Sequence, residues 1–173
     1  SRRQRQMCIR DSFLGDSMTY TCAYYPSPDA TLEEAQENKY RLIFDKLRLQ
    51  EGDRHLDVGC GWGGMVRYAA RRGVKSIGVT LSKEQAEWGQ RKIEEEGLQD
   101  LAEVRFMDYR DITEEGFDAI SAIGIIEHIG VKNYNDFFKF LHGKLKVGGL
   151  MLNHNITYPD NHKTCLLYTS PSP

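Results

Sequence analysis

The sequence lacks the features that mark several broad classes of protein. No apolar run approaches the roughly 20 residues that a helix needs to cross a bilayer. No internal repeat and no low-complexity linker divides the chain. The formal net charge is −2, so there is no basic excess of the kind that indicates a nucleic acid partner.

The two ends of the chain lack a hydrophobic period and do not resemble a targeting signal. Residues 2–12 (RRQRQMCIRDS) and 165–173 (CLLYTSPSP) resemble translated transposon adapters of the kind used in DNA sequencing libraries. We therefore predict that residues 1–12 and 165–173 are not native. Genuine sequence is then expected from about 13 to 164, as a fragment truncated at both ends and long enough for one domain with a sizeable core.

Leaving out these ends changes the charge and the number of cysteines. The ends carry four of the 23 basic residues and one of the 25 acidic residues, which leaves a net charge of −5. The remaining cysteines are Cys22 and Cys60, far apart in the sequence. Two such thiols do not make a disulfide framework, so a reducing cytoplasm is the expected compartment.

Strand-like and helix-like segments alternate along the chain. Thr31 and Glu34 form a predicted capping box at the start of the first helix, which extends to Leu49. Further helices are predicted at 65–72, 82–96 and 134–145, the last closing at Gly148-Gly149, and strands at 55–58, 74–81, 103–107, 117–123 and 150–156. This alternation predicts an α/β fold with a doubly wound, mainly parallel sheet.

The stretch 55–64 (HLDVGCGWGG) is typical of a strand, a tight turn and the start of a helix. Glycine allows positive φ and close approach of a ligand, and the free N–H groups at a helix N-terminus favour polar or anionic groups. The pattern predicts a nucleotide-type cofactor at the first βα turn of an open sheet.

Two cofactors fit this loop. Gly59, Gly61 and Gly64 satisfy G-x-G-x-x-G, a fingerprint of dinucleotide sites. However, the second strand ends without the Asp or Glu that would hold an adenosine ribose. Asp57 ends the first strand, where a carboxylate suits a cationic amine or sulfonium. These features favour S-adenosylmethionine, and DVGCGWGG resembles the first motif of class I methyltransferases.

Four more strings extend the resemblance. They are MTYTCAYY (18–25), GVTLSKEQ (78–85), IEHIG with KNY (126–134) and HNI (154–156). With the glycine loop, they resemble the cyclopropane fatty acid synthases, including the mycolic acid cyclopropane synthases, over residues 13–164. The resemblance implies a Rossmann-like class I methyltransferase fold, with an active-site segment at 13–31 and a core at 32–164 that lacks its last strands.

The resemblance also implies a reaction. The methyl of S-adenosylmethionine is transferred to the cis double bond of an unsaturated acyl chain in a phospholipid, and a cyclopropane ring closes with bicarbonate as the base. The expected enzyme is bacterial and cytoplasmic, contacts the inner face of the membrane, and forms a possible homodimer at full length. No metal is expected, because His55, His142 and His162 have no ligand-like spacing.

Roles carried over from the family fall into two groups. For bicarbonate, Cys22 and His154 would contribute side chains, Ile156 a backbone group, and Glu127 would accept the bicarbonate O–H; a further family tyrosine would lie beyond Thr164. The residues implied around the cofactor, besides Asp57, are Tyr20, Thr21, Gly59, Gly61, Thr80, Leu81, Gln85, Tyr109 and Gly124. Thr80 and Gln85 would replace the usual ribose carboxylate. Tyr109-Arg110 stands where relatives often have Trp followed by an acid.

Several of these residues also have purely structural interpretations. Gln85 lies three residues after Ser82 and would complete a capping box. Glu127 is also consistent with a solvated acid, and His154 with a core histidine, while His128 is expected to be structural.

Alternative functions also remain open at the level of sequence. They are a related methyltransferase making methyl-branched or hydroxylated lipids, a nicotinamide-dependent oxidoreductase and a non-catalytic lipid-binding protein.

Overall fold

The computed structural model describes residues 14–156. The five strands are β1 Arg54–Val58, β2 Lys75–Thr80, β3 Ala102–Phe106, β4 Phe117–Ile123 and β5 Leu145–His154. The α-helices are α1 Leu32–Lys46, α2 Gly64–Ala70, α3 Lys83–Glu95, α4 Ile126–Ile129 and α5 Tyr134–Lys144, and 3-10 turns occupy Tyr109–Asp111 and Val131–Asn133. Residues 1–12 and 165–173, predicted to be adapter-derived, lie outside this range.

The strands form one sheet in the order β3-β2-β1-β4-β5, and every pairing is parallel. The chain leaves β1 toward β2 and β3, then returns to add β4 and β5 on the other side. The order therefore reverses between β1 and β4. In sheets of this kind a crevice opens at such a switch point, outside the carboxyl ends of the strands.

Helices cover both faces of the sheet, as the doubly wound prediction requires. On one face, Tyr40 and Ile43 of α1 pack with Met65 and Tyr68 of α2. Another apolar cluster joins α5 to the central strands, with Phe137 and Ile120 fully buried. Burial on both sides explains why five of the seven residues of β4 are apolar.

The predicted caps form at the starts of two helices. At α1 the capping box is complete: Thr31 N–H donates to Glu34 Oε2 at 2.8 Å, and Glu34 N–H donates to Thr31 Oγ1 at 3.2 Å. At α3, Gln85 N–H donates to Ser82 Oγ at 3.3 Å. The Gln85 side chain, however, accepts the Thr80 hydroxyl at 2.7 Å instead of closing a second box.

The boundary between α5 and β5 differs from the prediction. Gly148-Gly149 does not close the helix, because α5 ends at Lys144 and β5 begins at Leu145. Leu145 pairs with Phe117, but the next pair is Ala119 with Leu150, so a register shift accommodates the residues between. Gly148 adopts φ +81° there. The strand also ends at His154, which leaves Ile156 outside it.

The helices of residues 14–156 are short or polar. None of them is long and apolar enough to cross a membrane.

Candidate active site

A cavity of about 940 Å³ opens at the carboxyl edge of the sheet, around the β1–β4 switch point. All ten residues predicted to surround the cofactor line it: Tyr20, Thr21, Asp57, Gly59, Gly61, Thr80, Leu81, Gln85, Tyr109 and Gly124. The N-terminal segment closes one side, since the Thr21 methyl group lies against Gly124 at the end of β4.

The glycine loop between β1 and α2 forms the floor of the cavity. Gly59 and Gly61 have φ of +70° and +55°, which side chains other than glycine rarely adopt. The N–H groups of Gly59 and Cys60 both donate to the carbonyl of Val79, which ties the loop to β2. No atom lies within 4 Å of where a Cβ on Gly61 would project. A ligand can therefore approach the backbone at this point.

Asp57 lies on β1 at the centre of the sheet, and it lines this cavity. It is 4% exposed, and the Ser121 hydroxyl donates to its Oδ1 at 2.5 Å. Burial raises the pKa of Asp57 to about 6, while the Ser121 hydrogen bond and the positive charge of Lys39 oppose the rise. The carboxylate is thus mostly ionised at neutral pH.

Lys39 is a cavity residue that the sequence analysis missed. It projects from α1, is 6% exposed and donates to Thr21 Oγ1. Burial lowers the pKa of Lys39 to about 8, although nearby Cys22 and Asp57 favour the charged form. The missed signal is its spacing: Lys39 lies four residues after Ala35 and four before Ile43, so it falls on the buried stripe of the helix.

The end of β2 presents a hydroxyl to the cavity, and the first turn of α3 presents an amide. Thr80 donates to Gln85 Oε1, and the N–H of Ser82 donates to Thr80 Oγ1 at 3.2 Å. Within residues 14–156, no hydrogen bond occupies the amide nitrogen of Gln85. The neighbouring Leu81 is 72% exposed at the cavity rim.

An aromatic side chain and an acid form the wall beyond β3. The Tyr109 ring packs edge-to-face against Phe137, with ring centroids 5.1 Å apart. Asp108 also lines the cavity and takes a bidentate pair of hydrogen bonds from Arg110, at 2.7 and 2.9 Å. The Arg110 hydrogen bonds hold the pKa of Asp108 below its usual value. The acid therefore precedes the aromatic residue here, a second feature that the sequence analysis missed.

The four residues implied for bicarbonate lie off the cavity lining. Glu127 and Ile156 are in contact, because the N–H of Ile156 donates to Glu127 Oε1 at 2.9 Å. The carbonyl of His154 accepts the N–H of Gly124 at 2.8 Å, while its side chain is exposed. Cys22 is also exposed.

The predicted convergence of these residues is therefore only partial. Within the described part of the chain, no hydrogen bond joins Cys22 to Glu127 or His154. Ile156 was expected to offer a backbone group to the anion, and its N–H donates to Glu127 instead. Of the adjacent pair, His128 lines the cavity and Glu127 does not. The anion roles of Cys22, Glu127, His154 and Ile156 stay predictions.

The architecture matches solved methyltransferases. Cyclopropane synthase MmaA2 from Mycobacterium tuberculosis superimposes with a TM-score of 0.77 at 40% identity, over 83% of this chain and 50% of that one. Cyclopropane synthase CmaA1, solved with SAH and CTAB, gives a TM-score of 0.75 at 39% identity, over 82% and 50%. The sheet order and the glycine loop at its switch point are thus those of the class I methyltransferase fold.

Sequence comparison narrows the class to one family. The pattern of the mycolic acid cyclopropane synthetase family matches residues 9–169, and the chain belongs to that family. A probable fatty acid methyltransferase of M. tuberculosis is 70% identical over 151 residues, which are 87% of this chain and 35% of that protein. The cyclopropane-fatty-acyl-phospholipid synthase of Escherichia coli K12 is 42% identical over 140 residues, 80% of this chain and 35% of that protein.

The chain thus spans about a third of the length of these curated relatives. Membership of this family favours a methyltransferase over the nicotinamide-dependent alternative.

Proposed function

We propose that this chain forms the cofactor-binding core of an S-adenosylmethionine-dependent methyltransferase that converts unsaturated acyl chains of phospholipids to cyclopropanes. The observation that carries the proposal is the presence of two buried, opposite charges, Asp57 and Lys39, on the wall of one cavity at the glycine loop. The amino-acid end of S-adenosylmethionine carries an ammonium and a carboxylate. A buried acid beside a buried base suits that zwitterion.

The other walls suit the remaining parts of the cofactor. The amide nitrogen of Gln85 would donate to the ribose hydroxyl oxygens. It would thus replace the carboxylate that is absent from the end of β2. The Tyr109 ring offers an apolar face to the adenine. When bound, the cofactor supplies an electrophilic methyl group.

The mouth of the cavity suits an acyl chain. Tyr20 and Leu81 line the cavity, yet 56% and 72% of their surfaces are exposed. Apolar surface at an entrance favours a hydrocarbon partner and keeps water from the reacting carbons. We infer a cytoplasmic enzyme in peripheral contact with the inner membrane face, and a homodimer is a possible full-length form.

Bicarbonate is the proposed base because the two buried titratable groups of the wall at the glycine loop, Asp57 and Lys39, are assigned to the charged end of the cofactor in this proposal. Cys22, Glu127, His154 and Ile156 would hold the anion, with Glu127 orienting it, once the acyl chain is in place.

The test is product formation by the whole protein on vesicles of dioleoyl phosphatidylethanolamine, with S-adenosylmethionine and bicarbonate. A cyclopropane product gains one CH₂ and no longer contains a double bond that ozone cleaves. Asp57→Asn is the inactive control. Absence of any methylated lipid, with the cofactor bound, would reject the proposal.

One observation favours a second candidate. The relative with 70% identity is named a fatty acid methyltransferase rather than a cyclopropane synthase. The same assay separates the two, because a methyl-branched or methylene product retains a cleavable double bond or shows a different mass gain.

A further inference from the structure

Four buried polar residues form a continuous chain of hydrogen bonds across the centre of the sheet. His55 Nδ1 lies 2.8 Å from Ser76 Oγ, His55 Nε2 lies 2.9 Å from Ser121 Oγ, and Ser121 donates to Asp57 Oδ1 at 2.5 Å. His55 and Ser121 are fully buried, and Ser76 is 1% exposed. Three of the four residues play no part in the function proposed above.

The strand register explains why these residues meet. His55 and Asp57 are two residues apart on β1, so their side chains leave the same face of the sheet. Ser76 on β2 is the register partner of His55, and Ser121 on β4 is the register partner of Asp57. The chain of hydrogen bonds thus crosses three strands and ends in the cofactor cavity.

The direction of the hydrogen bonds follows from counting protons. Ser121 has one hydroxyl proton and donates it to Asp57, which only accepts when ionised. Ser121 Oγ must then accept a hydrogen bond from His55 Nε2–H. A neutral imidazole with Nε2 protonated has a bare Nδ1, which accepts the hydroxyl proton of Ser76. All the donors therefore point toward Asp57.

We propose that Ser76, His55 and Ser121 act as positioning residues that orient the Asp57 carboxylate and keep it ionised for the ammonium group of the cofactor. This inference rests on the proposed function for the identity of the ligand. The hydrogen-bond geometry does not depend on the proposed function. When Asp57 gains a proton, its O–H donates to Ser121, Ser121 donates to Nε2, and the imidazole proton resides on Nδ1. The hydrogen bonds along the chain thus reverse their direction, and Asp57 is the one residue of the four that gains a proton.

We call the chain of hydrogen bonds from Ser76 through His55 and Ser121 to Asp57 the relay. The charged groups around it support the proposed positioning role. Burial lowers the pKa of His55 to about 3, so the ring is neutral from pH 5 to 8. The groups that face Asp57 are Lys39 and Tyr40 from α1 and Cys60 from the glycine loop. Burial raises the pKa of both Tyr40 and Cys60, so they are neutral. Lys39 and the Ser121 hydroxyl are then the groups that favour the ionised carboxyl.

The first experiment is ¹⁵N NMR of the whole protein with ¹⁵N-labelled histidine, without cofactor, from pH 5 to 8. The His55 signals are assigned by their loss in His55→Gln. At pH 8 the ring is expected to carry its proton on Nε2, and the proton should move to Nδ1 with a midpoint near pH 6, where Asp57 titrates. One tautomer at every pH, or a doubly protonated ring at pH 6, would overturn the relay.

The second experiment measures affinity for S-adenosylhomocysteine, a stable cofactor analogue, against pH. One hydrogen bond to a carboxylate shifts its pKa by about one unit, so Ser121→Ala should bind roughly fivefold more weakly than wild type at pH 6 and almost equally at pH 8. His55→Leu should shift the profile in the same direction, and His55→Gln, which keeps an N–H donor, should recover part of it. His128 is present in every variant, so its contribution cancels.

The control is the same substitution made in Asp57→Asn protein. There Ser121→Ala should leave the pH profile unchanged, because no carboxyl remains to titrate. A persistent shift would show that Ser121 acts on the fold and would overturn the inference. If S-adenosylhomocysteine does not bind wild type at any pH, the proposed function fails, and the NMR tautomer still decides the relay.

Discussion

Lys39 and Asp57 are charged groups that folding removes from water at one wall of a cavity. Such burial costs several kcal/mol per ion unless partners offset it. Here the offset is shared by Ser121, Thr21 and the opposite charge of each residue. A ligand with matching charges would complete this compensation, so binding and local electrostatics are coupled at these two residues.

Lys39→Met should weaken binding of S-adenosylhomocysteine by tenfold or more, since a hydrogen bond to a charged group contributes about 1.5–3 kcal/mol. Because the pKa of Lys39 is lowered to about 8, its charge is present below that pH and is lost as the pH rises through it. Wild-type affinity should therefore fall between pH 7 and 9, measured by calorimetry.

Two variants sharpen this prediction. Lys39→Arg stays charged at pH 9, so its affinity should fall less steeply than that of wild type. Lys46→Met removes an exposed lysine from the same helix and should have no effect. Equal affinities for Lys39→Met and wild type would remove Lys39 from the site.

Glu127→Gln in the whole protein should leave cofactor affinity unchanged, because Glu127 does not line the cavity. Turnover should fall, since an amide orients bicarbonate less well than a carboxylate. Raising bicarbonate should restore part of the rate. The measurement is cyclopropane formed on unsaturated vesicles across a bicarbonate series, with the exposed Glu94→Gln as control. Identical rates for wild type and Glu127→Gln at every concentration would exclude this role.

At the scale of the elements, a comparison of two glycines in turns distinguishes backbone strain from ligand contact. Gly61 and Gly52 both have positive φ, +55° and +88°, and both have open space where a Cβ would project. Alanine at either position should therefore cost about 1–2 kcal/mol of stability through strain alone. Only Gly61 lines the cavity.

Gly61→Ala should consequently lose cofactor affinity as well as stability, whereas Gly52→Ala should lose stability only. Urea unfolding and calorimetry on the two variants measure the two effects. If both variants bind S-adenosylhomocysteine as wild type does, the loop backbone is not in contact with the cofactor.

Much of the fold follows from local patterns, and the exceptions have physical reasons. The four strands from β1 to β4 lie within a residue or so of their predicted positions, because apolar runs and bounding glycines mark them. The start of β5 was wrong because a register shift has no periodic signature. Lys39 was missed because a charged residue next to the apolar positions of a helix is normally assigned to the exposed edge of the apolar stripe. The Ser76–His55–Ser121 relay depends on strand register, which the sequence alone does not define.

At the scale of the whole molecule, two buried titratable residues make opposite contributions to stability against pH. His55 has a folded pKa of about 3 against an ordinary 6.5, so its contribution is present above 6.5 and is lost as the pH falls toward 3. Asp57 has a folded pKa of about 6 against 3.8, so the folded state holds the proton more tightly and gains stability as the pH falls through 6.

The two single variants should therefore diverge on acidification. Relative to wild type, Asp57→Asn should lose about 1 kcal/mol more between pH 7 and 5, and His55→Leu should lose about 2 kcal/mol less. Urea midpoints of the three proteins at both pH values give the comparison. Parallel changes in all three would contradict the assigned pKa directions.

The place of β5 in the sheet has a practical consequence. Within residues 14–156, β5 pairs with β4 alone, and its ten residues include the fully exposed Val147. A strand edge of this length is a template for adding another strand, and proteins usually shield such edges. A protein limited to residues 14–156 is expected to self-associate in a concentration-dependent way, with β5 as the point of contact. Solubility, rather than cofactor affinity, would then limit work on the isolated core.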